Sequence, residues 1–258
     1  MKCIHILLAI LTIGVSPITR ADTGNVARAE AHALLETLSR HFSGIQTLSY
    51  TAERTTEGRR QNSRERWLFA YQAPGNIRVD YQYPVERHLL LTSNSLVEYI
   101  PALRRAIRTD LQRMPETTRQ STIKQTLARI SLDGINPSNF QEMAARATSI
   151  THPTPASDSC RISGTGPKFL LEIDRRKNVL LATDIFTPDD TLLLHTEASR
   201  FIEANPGFWY PQHVVARYWT EQGFVTTTTL IRNVTLNTPF PKDTFEFTVP
   251  EHVTLETR

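Results

Sequence analysis

Between Ser63 and Pro101 apolar and polar residues alternate in four short runs separated by turn residues. Trp67, Phe69 and Tyr71 share one face of the first run, and Ile77, Val79 and Tyr81 share one face of the second, at the period-two spacing of half-buried strands. Ala73-Pro74-Gly75-Asn76 breaks the chain between them. Tyr83-Pro84 and Ser93-Asn94 then bound the third run, Arg87 to Thr92, and the fourth runs from Leu96 to Ile100. The pattern predicts an antiparallel meander with one aromatic wall.

The segments on either side extend it. Thr47 to Thr56 alternates with Leu48, Tyr50 and Ala52 on one side, acquires charges at Glu53 and Arg54, and closes in a polar hairpin at Glu57 to Arg60. Before it, Ala33, Leu34, Leu38 and Phe42 mark a helix over Val26 to Phe42, ended by Gly44. After Pro101, Arg104, Arg105, Arg108 and Arg113 surround Ala106-Ile107 and Leu111, which reads as a strand with a basic, solvated outer face. Two thinly apolar helices follow. Thr117 to Ile130 carries Ile123, Leu127 and Ile130, and Pro137 to Ala147 carries Phe140, Met143 and Ala144 with Ser138 as its cap.

From Cys160 to Leu236 the alternation returns in six runs with turn residues between them, the last two closing as a hairpin at Gln222-Gly223. A final strand is expected over Phe245 to Val253. So many antiparallel strands must curl, and full closure would leave the two interrupting helices without a place. The expected fold is therefore mainly β with α: a half-open, strongly curved antiparallel β-barrel of about 11 strands, with helices covering the open side.

Composition narrows the setting. Met1-Lys2, an apolar run from Ile4 to Val15 and Thr19-Arg20-Ala21 have the layout of a secretory signal peptide over residues 1–21. Residues 22–258 are expected to form a single soluble, periplasmic domain. Loss of Lys2 and Arg20 lowers the formal charge from +3 to +1, which leaves little attraction for nucleic acid. Cys3 leaves with the leader, so Cys160 has no disulfide partner.

The residues that could carry chemistry do not converge. His32 and Glu36 have the i,i+4 spacing of two metal ligands but no third. Ser159, Ser163 and His152 lack a nucleophile elbow and an orienting acid. Gly164-Thr165-Gly166 is too short to cradle phosphate, the threonines from Thr226 to Thr229 are ordinary strand residues, and Asn233-Val234-Thr235 matches a glycosylation acceptor in mid-strand. No enzyme activity, metal or other cofactor is expected. A wall of Leu48, Tyr50, Trp67, Phe69, Tyr71, Ile77, Val79 and Tyr81 under a lid bearing Ile123, Leu127 and Ile130 suits an apolar ligand. The alternative is that these aromatics fill a closed core.

The turn and strand Ala73 to Tyr81, the Tyr83-Pro84 step, Leu89 to Asn94, Leu96 to Pro101 and the closing Phe245-Glu246-Phe247-Thr248-Val249-Pro250-Glu251-His252-Val253 resemble, in order and spacing, the periplasmic lipoprotein carrier (LolA-like) family. The resemblance implies a half-open barrel with a helical lid. Its interior would take acyl chains of a lipid or lipoprotein bound for the outer membrane, as a monomer that meets inner- and outer-membrane transfer proteins. Ala73 stands where the carriers have their lid-locking arginine, so the resemblance does not extend to that latch. Asn205 to Pro211 looks more like the broader superfamily, which includes lipid-binding proteins and envelope-stress sensors. A sensor or protein-binding scaffold using the basic strand at Arg104 to Arg113 is thus a second expectation, and an enzyme acting on an envelope lipid or polysaccharide a third.

Overall fold

The computed structural model describes residues 22–59, 61–130, 137–154, 157–220 and 223–258; the expected leader lies outside them. Fourteen strands form one sheet rather than the expected 11. They are β1 (Thr47–Gly58), β2 (Gln61–Gln72), β3 (Asn76–Tyr83), β4 (Arg87–Leu91), β5 (Ser95–Ile100), β6 (Arg105–Asp110), β7 (Ala147–Thr151), β8 (Ser159–Gly164), β9 (Phe169–Asp174), β10 (Val179–Phe186), β11 (Leu192–Asn205), β12 (Phe208–Thr220), β13 (Gly223–Leu236) and β14 (Thr254–Thr257). Three α-helices accompany them: α1 (Asp22–Ser43), α2 (Glu116–Ile130) and α3 (Pro137–Arg146).

The strand order is β14-β6-β5-β4-β3-β2-β1-β13-β12-β11-β10-β9-β8-β7. Two meanders therefore meet at a central seam, where β1 pairs antiparallel with β13 from Leu48 opposite Leu236 to Gly58 opposite Val225. The register shifts between Ser49 and Thr51, and Asn233 lies in the left-handed region at φ 55° opposite that shift. Asparagine tolerates that conformation better than other residues with a side chain, so Asn233 serves the bulge. The curved sheet stays open, because β7 and β14 do not pair with each other.

Alternation along β1 and its neighbours gives the sheet an inner, apolar face and an outer one. α1 lies against the inner face with Ala31, Leu35, Leu38 and Phe42 buried. Leu38 and Phe42 are buried as expected, but the first half of the stripe is Ala31 and Leu35, with Ala33 exposed and Leu34 only half-buried. Phe42 stacks on Phe140 of α3 with ring centroids 5.5 Å apart, which ties the two helices together. Ser138, the expected cap of α3, lies outside the residues whose side chains are described.

The expected final strand is corrected. Residues 245–253 are irregular, and strand structure begins only at Thr254. This segment crosses the outer face, where Arg78 Nη1 donates to the Thr244 carbonyl at 3.0 Å and Phe247 packs against Tyr99 at 5.5 Å. β14 then adds to β6 in parallel, fixed by Arg105 donating twice to Glu256 at 2.7 and 2.8 Å. Leu90, Val97 and Ala106 are buried on this outer face. That is why the Leu89-Leu90-Leu91 run is apolar without alternation: neighbours on both sides bury it. β7 and β14, short strands that the alternation does not predict, form the two edges of the sheet.

Two substitutions test this packing. A Cβ on Gly164 would lie 2.2 Å from Phe169 Cζ and 2.7 Å from the Arg146 carbonyl. Gly164→Ala is expected to cost about 1–3 kcal/mol, as overpacking does, read as a lower urea midpoint; an unchanged midpoint would show that Phe169 moves aside. Cys160 is fully buried, and burial pushes its thiol up to about 11. Since the thiolate is the reactive form, a thiol reagent at pH 8 should label Cys160 only as the chain unfolds.

Candidate functional site

The register of β1, β2 and β3 assembles the wall. Leu48 faces Tyr71, which faces Ile77; Tyr50 faces Phe69, which faces Val79; Ala52 faces Trp67, which faces Tyr81. All eight residues expected in the wall thus share one face in three adjacent rows. Tyr50 and Phe69 stack at 4.6 Å, Trp67 and Tyr81 lie 6.1 Å apart, and Tyr210 of β12 continues the series 6.0 Å from Tyr50. Leu48, Tyr50, Trp67, Ile77 and Val79 are buried, whereas Phe69, Tyr71 and Tyr81 keep part of their surface.

The cover is only partly described. Met114 and Ile123 pack against the same core as the α1 stripe; the side chains of Leu127 and Ile130 lie outside the described residues. An apolar cleft beside Phe42, lined also by Leu180, Ala198, Phe201, Trp209 and Val214, has a free volume of about 20 Å³. That is room for about one water, which needs about 10–15 Å³ on the same measure, so this cleft takes an acyl chain only if side chains move. Two wider grooves, of about 510 and 240 Å³, lie on the outer face along the C-terminal segment and share Arg78 and Asp80. There His88 Nδ1 is 2.7 Å from Asp80 Oδ1, and Arg78 Nε donates to Asp80 at 2.9 Å.

The inner face is not uniformly apolar. Past Ala52, β1 places Arg54 and Thr56 inward, and their partners on β13 are Thr229 and Thr227. Arg54 Nε donates to Thr229 Oγ1 at 3.2 Å, and its guanidinium carbon lies 5.2 Å from the centre of the Trp67 ring. Arg87 lies over Tyr81 at 4.1 Å, with its Nη1 3.5 Å from Glu98. Burial raises Tyr50 well above the ordinary phenol range and also raises Tyr210 and Tyr81, so these hydroxyls keep their protons at neutral pH. Arg54 was legible in principle: it stands four residues after Tyr50 in an alternating strand, on the same side.

Antiparallel order also puts the β1–β2, β3–β4, β5–β6, β10–β11 and β12–β13 connections at one end of the sheet. This rim carries Tyr83, Val85, Leu103, Leu192, Leu193, Trp219 and Phe224, seven of the ten large apolar side chains exposed among the described residues. Trp219 and Phe224 meet edge-on at 5.4 Å. Their concentration at one end marks the rim as a surface distinct from ordinary scattered exposure.

The other sequence candidates separate. His32 pairs with Glu36 at 3.7 Å on exposed helix surface, His152 reaches Glu30 at 3.2 Å, Ser163 bonds Ser149 at 2.7 Å, and Ser159 lies 3.0 Å from Ser157. Among the described residues no three His, Cys, Asp or Glu side chains converge as metal ligands. The basic strand is partly neutralised, since Arg105 is held by Glu256 and Arg113 by Asp110 at 3.0 Å. No described helix is long and apolar enough to cross a membrane.

No protein-family model and no curated protein sequence matches the chain. Solved structures do. A DUF1329 family protein from Desulfovibrio piger superposes with a TM-score of 0.56 at 10% identity, over 85% of this chain and 97% of the other. An outer membrane lipoprotein-sorting protein domain from Vibrio parahaemolyticus gives 0.55 at 11%, over 85% and 97%. A LolA superfamily protein from Nitrosomonas europaea gives 0.51 at 13%, over 84% and 97%. At such identities the likeness is one of fold, and the fold of this chain is LolA-like.

Proposed function

We propose that the protein is a periplasmic carrier that holds the acyl chains of a lipid or lipoprotein, without covalent chemistry, between the β1–β3 wall and the helices, for transfer toward the outer membrane. The observation that supports it is the aromatic face formed by Tyr50, Trp67, Phe69, Tyr81 and Tyr210, partly open at Phe69 and Tyr81, in the same core as the α1 stripe.

Each buried methylene contributes about 0.8 kcal/mol, and the wall offers that gain to whatever covers it. The apolar side chains of α1 and Ile123 belong to the same core as the wall. A ligand chain entering the wall exchanges one apolar cover for another, so loading and release differ by little free energy. The cover near α2 is thin: Ile123 is only half-buried, and Phe69, Tyr71 and Tyr81 are partly open. The apolar rim is where such a protein would touch a membrane, because aromatic tips such as Trp219 settle at the boundary between headgroups and chains. The sensor reading gains less support, since two of the arginines it depends on are engaged within the chain.

Residues 22–258, purified and extracted for mass spectrometry, are expected to release lipid or else to take up a neutral fluorescent acyl probe; neither event would defeat the reading. Phe69→Ala removes one half of the Tyr50 stack at a partly open position, and should weaken probe binding about tenfold while the fold survives. The double change Trp219→Ser, Phe224→Ser should leave probe binding intact and slow probe delivery to vesicles several-fold. Equal delivery rates would exclude the rim from membrane contact.

A further inference from the structure

Arg54 stands at the level where the inner face turns from aromatic to polar, and the contacts there leave hydrogen-bond donors unused. Arginine carries five N–H donors and no acceptor. Of Arg54's donors, Nε is bonded to Thr229, and among the described residues no carboxylate comes within 4.0 Å of the guanidinium. Glu65 stands opposite Arg54 across the β1–β2 pair but does not reach it. Beneath the guanidinium lies Trp67, 3% exposed, whose indole Nε1–H is buried without a hydrogen-bond partner. That N–H points toward the Tyr50 hydroxyl and helps hold its pKa down, but the approach falls short of hydrogen-bond geometry. The strand register puts Arg54 on the same face as Tyr50, one inward position beyond Ala52, which pairs with Trp67.

A half-buried cation with neutral partners and an orphan donor beside it both lack the same thing, an anionic acceptor. We infer that Arg54, with the Trp67 indole N–H and the Tyr50 and Thr229 hydroxyls, forms a subsite for the monoanionic headgroup of an acyl lipid, whose chain lies along the aromatic rows toward Leu48. The group is a carboxylate or a phosphodiester. Glu65 across the strand pair disfavours a doubly charged phosphate monoester by like-charge repulsion while leaving room for one negative charge against Arg54. Arginine suits the role because its planar fork grips two oxygens of either group. The inference rests on the acyl-binding reading above and adds the chemistry of the head to that of the tail.

The test compares oleate, lysophosphatidylglycerol and uncharged monoolein as competitors of a neutral fluorescent acyl probe, on the native protein and on Arg54→Gln, Arg54→Lys and Trp67→Phe. Arg54→Gln is expected to weaken the two anionic competitors about tenfold and to leave monoolein within about twofold. Arg54→Lys should recover part of the loss, and Trp67→Phe, which keeps the aromatic face but deletes the N–H, should produce a smaller loss confined to the anions. A larger effect on oleate assigns the subsite to a carboxylate, and a larger effect on lysophosphatidylglycerol assigns it to a phosphodiester. Equal losses for all three competitors, or none for any, would overturn the subsite and leave the carrier reading standing. Failure of the native protein to bind the probe or any of the three lipids would defeat both.

Discussion

The pairing of β1 with β2 on one side and β13 on the other is the constraint on which the rest of the molecule depends. β1 is bonded along nearly its whole length on both edges, so it cannot slip by one residue without turning Leu48, Tyr50 and Ala52 to the outside. Fixing that register fixes the neighbouring rows as well. The aromatic series, the inward turn of Arg54 and the threonine belt beyond it are consequences of one strand held from two directions. The helices add a cover to a surface whose composition the sheet has already determined.

The two faces are used differently. The inner face is continuous and apolar over most of its length, and helices from two parts of the chain converge on it. The outer face is polar except under the C-terminal segment, where Leu90 and Val97 are covered by chain that is not regular structure at all. That cover is held by directional contacts, the Arg78 bond to the Thr244 carbonyl and the Arg105 pair with Glu256. The protein thus buries apolar surface on both sides of a single sheet, with helices on one side and an extended strap on the other.

What the sequence disclosed follows from how strictly each segment alternates. β2 and β3 announce their inner face because Trp67, Phe69, Tyr71, Ile77, Val79 and Tyr81 fall at period two between clear turns, and the structure places all six together. The tail misleads for the opposite reason: Phe245 and Phe247 alternate as a strand would, but Pro250 and the absence of a free edge beside them leave an irregular crossing. β7 is hidden because five residues, Ala147–Thr151, follow a helix without a break. Arg54 is the instructive omission. In a strand a charge reads as the solvent side, yet parity with Tyr50 puts it inward, and only the cross-strand register shows its neighbours there to be Thr229 and Glu65.

The central seam also dictates an order of events. Leu48 meets Leu236 and Gly58 meets Val225, contacts between segments that lie near opposite ends of the chain. Closing so long a loop is entropically costly and comes late. Each meander can form from neighbouring hairpins, but the two halves join only once both are formed. A polypeptide built this way keeps its two halves apart until the central seam closes, so the apolar wall is completed last.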